Sequence, residues 1–327
     1  MPAILVTRRA RSHHRLRRPS TNPSVVVVGD IVVDVILAPE RDLEHGSDVR
    51  GRVQLRAGGS AATAARWLGR LGARSSLVCA VGRDGPGRAL VAAASADGVI
   101  VRAVHIAGAR TARIGVFIDP DGGQRSFVQD RGAALLLAPE HLRPAWFEAA
   151  DAVHLPAYSL LDEPLGRAGM EAIRLARAAG ALVTVDLASS APLLAFGRRR
   201  STALIREAAP DLLFTTRDEA KALLGPKYEE RLLELAPIAV VKRGRKGASI
   251  HVRADSKPLR LDVATTPIAA TDTTGAGDAF DAGFLLAWLA ARHRGVAPAV
   301  ALRRGAVAGN RAALRQLLQP RSELSLG

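Results

Sequence analysis

Between residues 272 and 280 the chain reads Asp272-Thr273-Thr274-Gly275-Ala276-Gly277-Asp278-Ala279-Phe280, and the apolar stretch 280–289 that follows reads as a helix. Backbone N–H groups at a helix start point outward without intrahelical partners. Gly275, Ala276 and Gly277 put three small residues in succession there, so an anion can approach those amides. The helix dipole favours negative charge at that end. Asp278, in the same turn, would ordinarily cap the helix. Beside an anion pocket a carboxylate can instead take a proton from a nearby hydroxyl. For a bare Gly-x-Gly-Asp, an N-cap after a flexible turn is the simpler account, so the weight falls on what surrounds it.

The surroundings are strands and helices in alternation. Val25 to Val28 form a continuous β-branched run, the mark of a strand buried on both faces. Gly29-Asp30 breaks it, and 31–37 continues apolar with Asp34 set inside. Helices are expected at 61–71, after Gly58-Gly59-Ser60, and at 88–96, with a buried strand at 76–81 between them. Short strands follow, 114–118 among them, with a turn at Asp119-Pro120-Asp121-Gly122-Gly123. Strands are expected at 152–155, 182–186, 212–215, 238–242 and 248–251, and helices at 171–179, 219–224 and 228–235. This pattern predicts an α/β fold: a doubly wound, mainly parallel sheet with helices on both faces. The more polar segments near 38–58 and 101–132 do not fit that layer and are expected to form a small β-sheet lid at one edge.

Composition sets the outer limits. The 327 residues are 48% hydrophobic and 24% charged, ample for a core and unlike a disordered chain. One cysteine, Cys79, excludes an intramolecular disulfide and a cysteine zinc cluster, which fits a reducing, cytoplasmic setting. No stretch of apolar residues is long enough to span a membrane. The net charge is +15, and its densest cluster is Arg8, Arg9, Arg11, Arg15, Arg17 and Arg18. Residues 1–23 read as a disordered basic arm, 24–318 as one folded domain and 319–327 as a C-terminal tail. Arginine is abundant throughout, so the charge reads as compositional bias, and a nucleic-acid partner is not expected. Neither a Gly-x-x-x-x-Gly-Lys-Ser/Thr loop nor a dinucleotide fingerprint is present.

At every position the 272–280 segment resembles the second signature of the ribokinase-like (PfkB) carbohydrate kinases. Gly58-Gly59-Ser60-Ala61-Ala62 with Leu68-Gly69-Arg70-Leu71-Gly72 resembles the family's first signature. Val81-Gly82-Arg83-Asp84-Gly85-Pro86-Gly87, Asp211-Leu212-Leu213-Phe214 with Asp218-Glu219-Ala220, and Lys242-Arg243-Gly244-Arg245-Lys246-Gly247 follow in the family's order. The resemblance implies an enzyme that moves a phosphoryl group from ATP to a hydroxyl of a small sugar. It implies Asp278 as general base, with an anion hole at Gly275, Ala276, Gly277 and the Asp278 amide. It implies Asp34, Gly58, Gly59 and Thr63 on the substrate. Thr216, Lys242, Gly244, Gly247, Thr273 and Thr274 fall on the nucleotide side. Glu219 matches the acid that organises Mg2+ through water. Asp272 and Thr274 match positions that in some members bind a monovalent cation such as K+. Pairing of lids into a homodimer is a further analogy.

Departures from the pattern bear on the substrate. Thr63 and Val32 stand where ribokinase-like members carry Asn against the sugar, which argues against ribose itself. Thr216 replaces the Asn of Asn-x-x-Glu, and a hydroxyl is shorter than an amide and lacks its double-ended geometry. Adenosine and pseudouridine kinases share these signatures, which leaves a nucleoside open as substrate. A sugar-binding regulator with weakened catalysis would rest on Thr216 alone, against an intact Asp278.

Overall fold

The computed structural model describes residues 22–121, 125–255, 257–270, 272–319 and 322–326. Nearly all of the arm expected at 1–23 lies outside these residues, as do Gly122 and Gly123 of the expected turn. Thirteen strands form two sheets. They are β1 (Ser24–Val28), β2 (Val32–Pro39), β3 (Gly51–Gly58), β4 (Arg74–Gly82), β5 (Val99–Ile106), β6 (Arg113–Ile118), β7 (Arg125–Asp130), β8 (Ala152–Pro156), β9 (Leu182–Asp186), β10 (Leu212–Thr216), β11 (Ile238–Lys242), β12 (Ala248–Val252) and β13 (Leu259–Val263). The helices are α1 (Ser60–Arg70), α2 (Gly85–Ala96), α3 (Leu165–Ala178), α4 (Ser190–Phe196), α5 (Arg198–Ala208), α6 (Arg217–Leu224), α7 (Tyr228–Arg231), α8 (Ala276–His293) and α9 (Pro298–Leu318).

The large sheet runs β13-β12-β11-β10-β9-β8-β1-β4-β5 and is parallel up to β11, with β12 and β13 antiparallel at one edge. Its valine-rich first strand explains why it lies in the middle. Val25 and Val27 enter the core under α1, α2, α8 and α9, whereas Val26 and Val28 enter the core under α3, α5 and α6. Full burial of such a side chain is worth roughly 1.5–3 kcal/mol. From β1 the chain winds outward to β4 and β5, and from β8 it winds the other way to β11. The reversal between β1 and β8 opens a crevice at the strand C-termini, the usual ligand position in such sheets. Asp30 follows β1 there, and Tyr158 follows β8.

The small sheet runs β3-β2-β6-β7; β3, β6 and β7 lie within segments 38–58 and 101–132, and its extent departs from them in two places. It begins at Val32, because β2 belongs to it, so Asp34 lies within a small-sheet strand rather than at the end of the first one. Conversely, β5 joins the large sheet as its edge, paired with β4 over its whole length. The alternating exposure of an edge strand gave 99–106 its polar look, and shelter beneath the sheet gave 32–37 its apolar one.

The helix that opens at the Gly-Ala-Gly segment is held from below by aromatic packing. Phe280 and Phe284 meet Phe214 of β10 edge-on, with ring centroids 6.4 and 5.3 Å apart. Trp288 continues the stripe 6.1 Å from Phe284. The i, i+4 spacing puts all three on one face. Each such pair contributes about 0.5–1.5 kcal/mol beyond area burial, so the start of α8 is a rigid place to build a site. α9, which the sequence pattern did not single out, lies along α8 and completes that layer.

Candidate active site

Gly275 adopts a left-handed conformation (φ 75°) and caps α8, a backbone position that a side chain would strain. Ala276 N donates to Thr273 O at 3.3 Å, and Ala279 N makes the bond back to Gly275 O at 2.9 Å. Between them the amides of Gly277 and Asp278 belong to the first turn, whose N–H groups have no intrahelical acceptor. Among the amides expected to form the anion hole, that of Ala276 is thus already held, by a long bond.

Asp278 projects from this turn toward α1, where Ser60 Oγ donates to its Oδ1. Ser60 N donates to Tyr158 Oη at 3.2 Å, and Tyr158 Oη donates to Asp30 Oδ1 at 3.0 Å. A single hydrogen-bonded chain therefore links the ends of β1 and β8 to the carboxylate at α8. Burial, with Asp186 and Asp30 nearby, pushes the Asp278 pKa up to about 7 against the Ser60 hydrogen bond and the Lys242 charge. A carboxyl so placed is ionised near neutral pH yet still basic, the condition a general base needs.

Beneath the turn lies a buried ionic cluster. Lys242 Nζ donates to Asp186 Oδ2 at 2.9 Å and to both oxygens of Asp281 at 3.2–3.3 Å. Asp186 and Asp281 are almost wholly sequestered. A Cβ added at Gly277 would come within 3.3 Å of Nζ, so the ammonium sits directly behind the anion-hole turn. Burial alone would depress the Lys242 pKa, but Asp186, Asp281 and Glu219 raise it above its ordinary value, and the side chain stays charged. Burial would raise Asp186, and Lys242 instead holds it low. Burial and the proximity of Asp186 drive Asp281 far above the carboxylate range. Burial thus favours the neutral form of Asp281, while Lys242 stays paired with the charged Asp186. Lys242, expected on the nucleotide side, is turned inward into this cluster.

Thr216 and Glu219 form a reciprocal cap on α6. Thr216 N donates to Glu219 Oε2 at 2.8 Å, and Glu219 N donates to Thr216 Oγ1 at 3.2 Å. Burial, then Asp186, raises the Glu219 pKa. Among the described residues no group of three or more His, Cys, Asp or Glu could hold a metal ion by itself. Magnesium bound through nucleotide phosphates needs only one or two carboxylates and keeps its waters. Glu219 and Asp186 fit that limited demand, and Asp186 Oδ1 is buried without a hydrogen-bond partner. Gly244 and Gly247 bound a short 3-10 turn after β11, and Arg243 just before it pairs with Asp262 at 3.0 Å.

The small sheet reaches over to the same turn. Arg125 of β7 donates to Asp272 Oδ1 at 3.2 Å, to Thr273 Oγ1 at 3.0 Å and to Thr274 Oγ1. Arg56 of β3 reaches Asp272 Oδ2 at 3.4 Å. Thr274 N donates to Asp272 Oδ1 at 3.0 Å. Asp272 and Thr274, matched to a monovalent cation position, are thus clasped by two guanidinium groups. Asp34 stands opposite Arg56 in the β2–β3 pair, and its carboxylate leans across to Gly58, where a Cβ would lie 2.4–2.5 Å from it, so glycine alone leaves room for it. Gly59 caps α1, and the Thr63 methyl packs toward Gly275.

A cavity of about 480 Å3 lies between these parts, lined by Asp34, Gly58, Gly59, Ser60, Thr63, Asp272, Thr274, Gly275 and Asp278. The structure thus brings the expected base, the substrate carboxylate and both glycine turns into one space. Glu219, Thr216, Gly244 and Gly247 do not line it. Sequence reasoning missed Ser60, Tyr158, Arg56, Arg125, Asp186 and Asp281. Asp281 carries a readable signal, a lone acid i+3 from Asp278 in an apolar helix. The arginines carry none, since their partners are about 150 or more residues away in sequence.

Residues 22–321 match the model of the pfkB family carbohydrate kinases. The chain is 31% identical over 270 residues to the ATP-dependent ribose-1-phosphate kinase of Halopiger xanaduensis, covering 81% of this chain and 84% of that one. It is 30% identical over 287 residues to the fructokinase of Klebsiella pneumoniae, covering 83% and 85%. Among solved structures, the adenosine kinase from Sinorhizobium meliloti superposes with a TM-score of 0.77 at 27% identity, covering 93% of this chain and 97% of that one. No helix among the described residues is long and apolar enough to cross a membrane.

Proposed function

The chain belongs to the pfkB family of carbohydrate kinases and has a ribokinase-like fold, and from that premise we propose that it transfers the terminal phosphoryl group of ATP to a hydroxyl of a small sugar or sugar-like substrate, with Asp278 as the base. The observation that carries this reading is the placement of Asp278: at the first turn of α8, with a pKa near 7, in the same cavity as Asp34.

Asp34 offers two acceptor oxygens and grips adjacent hydroxyls of the substrate. The attacking hydroxyl lies at Asp278, which takes its proton as the new oxygen–phosphorus bond forms and the bond to the leaving ADP breaks. Charge on the moving group is met by the free amides of the Gly277 turn, reinforced from behind by Lys242. Ser60 orients Asp278, and Tyr158 orients Ser60. Magnesium, bound with the nucleotide near Glu219 and Asp186, would supply charge neutralisation on the phosphates. The clasp of Arg56 and Arg125 keeps the small sheet over the site and water out of it. The outward side of that sheet carries exposed Leu37, Val53 and Val128, a surface suited to pairing with a second copy.

The test is a panel of sugars assayed for ADP release with MgATP, in the wild type and in Asp278→Asn. Release that depends on one acceptor and is lost in the variant supports the reading. Equal release by the two proteins removes Asp278 as the base.

A further inference from the structure

The residue just before Gly275 is held from α9. Gln316 Nε2 donates to Thr274 O at 2.9 Å. The other end of the same amide is held from α1, where Trp67 Nε1 donates to Gln316 Oε1 at 2.9 Å. An indole N–H can only donate and a backbone carbonyl can only accept, so the amide fits between them in one orientation. Trp67 is buried in the core, which makes it a fixed anchor for Gln316.

This joint sets a peptide plane. The 274–275 peptide is trans, so its N–H points opposite to its carbonyl. Its carbonyl is turned to Gln316, which does not line the active-site cavity, whereas Gly275 does. The Gly275 N–H is therefore turned toward the cavity, and among the described residues it has no hydrogen-bond partner. Nothing local secures that orientation. A peptide-plane flip reverses the sign of the φ that follows it, and glycine takes either sign without steric cost; Gly275 stands at φ 75°. Thr274 N, held by Asp272 Oδ1 at 3.0 Å, belongs to the preceding plane. Turned over, plane 274–275 would aim a carbonyl oxygen at the place where phosphoryl oxygens must rest.

We propose that Gln316, anchored by Trp67, is a positioning residue for phosphoryl transfer: it holds plane 274–275 so that the Gly275 N–H, and not the Thr274 oxygen, faces the moving group. The inference rests on the kinase reading for what the turn binds, whereas the orientation of the plane stands on the contacts alone. Helix α1 then serves the reaction twice, through Ser60 on the base and through Trp67 on the anion hole.

Three variants separate this role from packing. Gln316→Met keeps the length and loses both hydrogen bonds. Gln316→Glu keeps the oxygen that Trp67 binds and sets a second oxygen against the Thr274 carbonyl. Trp67→Phe removes the anchoring donor. Kinetics with MgATP and the best acceptor of the sugar panel are combined with a crystal structure of each variant. Gln316→Met is expected to lower kcat about tenfold with both KM values within about twofold, because an anion-hole contact strengthens in the transition state. Gln316→Glu should lose at least as much kcat, and the plane is expected to be turned over in both. Trp67→Phe should cost about threefold in kcat and add nothing to Gln316→Met, since both act through one amide. Any of the three that folds carries the test. A kcat within about twofold of wild type in Gln316→Met overturns the inference. So does a Gln316→Glu with wild-type kcat, a loss carried by KM, or a Thr274 oxygen still facing α9 where kcat has fallen. If no acceptor yields ADP even in the wild type, the kinase reading fails and the crystal structures decide: a turned plane sustains the positioning role of Gln316, and an unturned one overturns it.

Discussion

The cavity has two walls built on opposite physical terms. The floor, from α8, α1 and the ends of β1 and β8, is a hydrogen-bonded chain over a sequestered ionic trio. The roof, from β2, β6 and β7, sets Ile36, Ile114, Val116 and Phe127 beside Asp34 and Gln129 and is tied down at its rim by two arginines. In a dry interior a polar network is worth much when complete and costs much when broken. An apolar face scales with area and tolerates exchange of one hydrocarbon for another. The floor is therefore where chemistry is fixed, and the roof is where the choice of substrate can vary without disturbing it.

The most severe way to test this division is at the base. Asp278→Asn should lower kcat by roughly 10²–10⁴-fold while nucleotide binding survives, as loss of general-base catalysis does. A kcat within a few-fold of wild type would move the chemistry away from the floor. Next comes the trio. Lys242→Met leaves a buried carboxylate without its cation and should cost about 3–5 kcal/mol in urea unfolding. Asp281→Asn mimics the neutral form that burial favours and should stay within about 1 kcal/mol of wild type. Equal losses in both variants would mean that Asp281 is ionised.

The pH dependence sharpens the contrast in a different way. As the proposed base, Asp278 must be ionised to act, so kcat/KM should fall about tenfold per pH unit below its pKa near 7. Stability should move in the opposite direction. A carboxyl whose folded pKa is raised holds its proton better in the folded chain. Its contribution is complete below the unfolded value, about 4, and is lost as pH rises through about 7. Asp278→Asn should therefore melt above wild type at pH 8, with the gap closing toward pH 4; a constant gap would contradict the raised pKa. The mildest effect belongs to the rim. Arg125→Ala removes exposed contacts of small individual worth, so the acceptor KM should rise by about three- to tenfold with kcat changed less. An unchanged KM would show that the clasp does not shape the site.

How much of this is legible in the sequence follows the same division. Strands β9 and β11 stand where the apolar runs at 182–186 and 238–242 put them, because burial on both faces leaves a continuous pattern. The turn at 275–278 is legible because small residues beside an acid at a helix start are a local arrangement. The small sheet is less so. Its strands pair across more than 75 residues between β2 and β6, so Val32–Pro39 reads as a continuation of the first strand. Ser60 and Tyr158 act on Asp278 from elements that meet only in the folded chain. Lys242 sits in a glycine-bounded basic loop that suggests phosphate, and only its inward side-chain direction reveals the carboxylates it serves.

Arg125 gives one feature of the fold a wider consequence. Its guanidinium meets three successive side chains, those of Asp272, Thr273 and Thr274, on the segment that leads into Gly275. On the proposed reading, a swing of β7 outward would pull on the strap that leads into the phosphate cradle, or let go of it. The two sheets would then be geared together, and admission of a guest and assembly of the reacting machinery would become one movement.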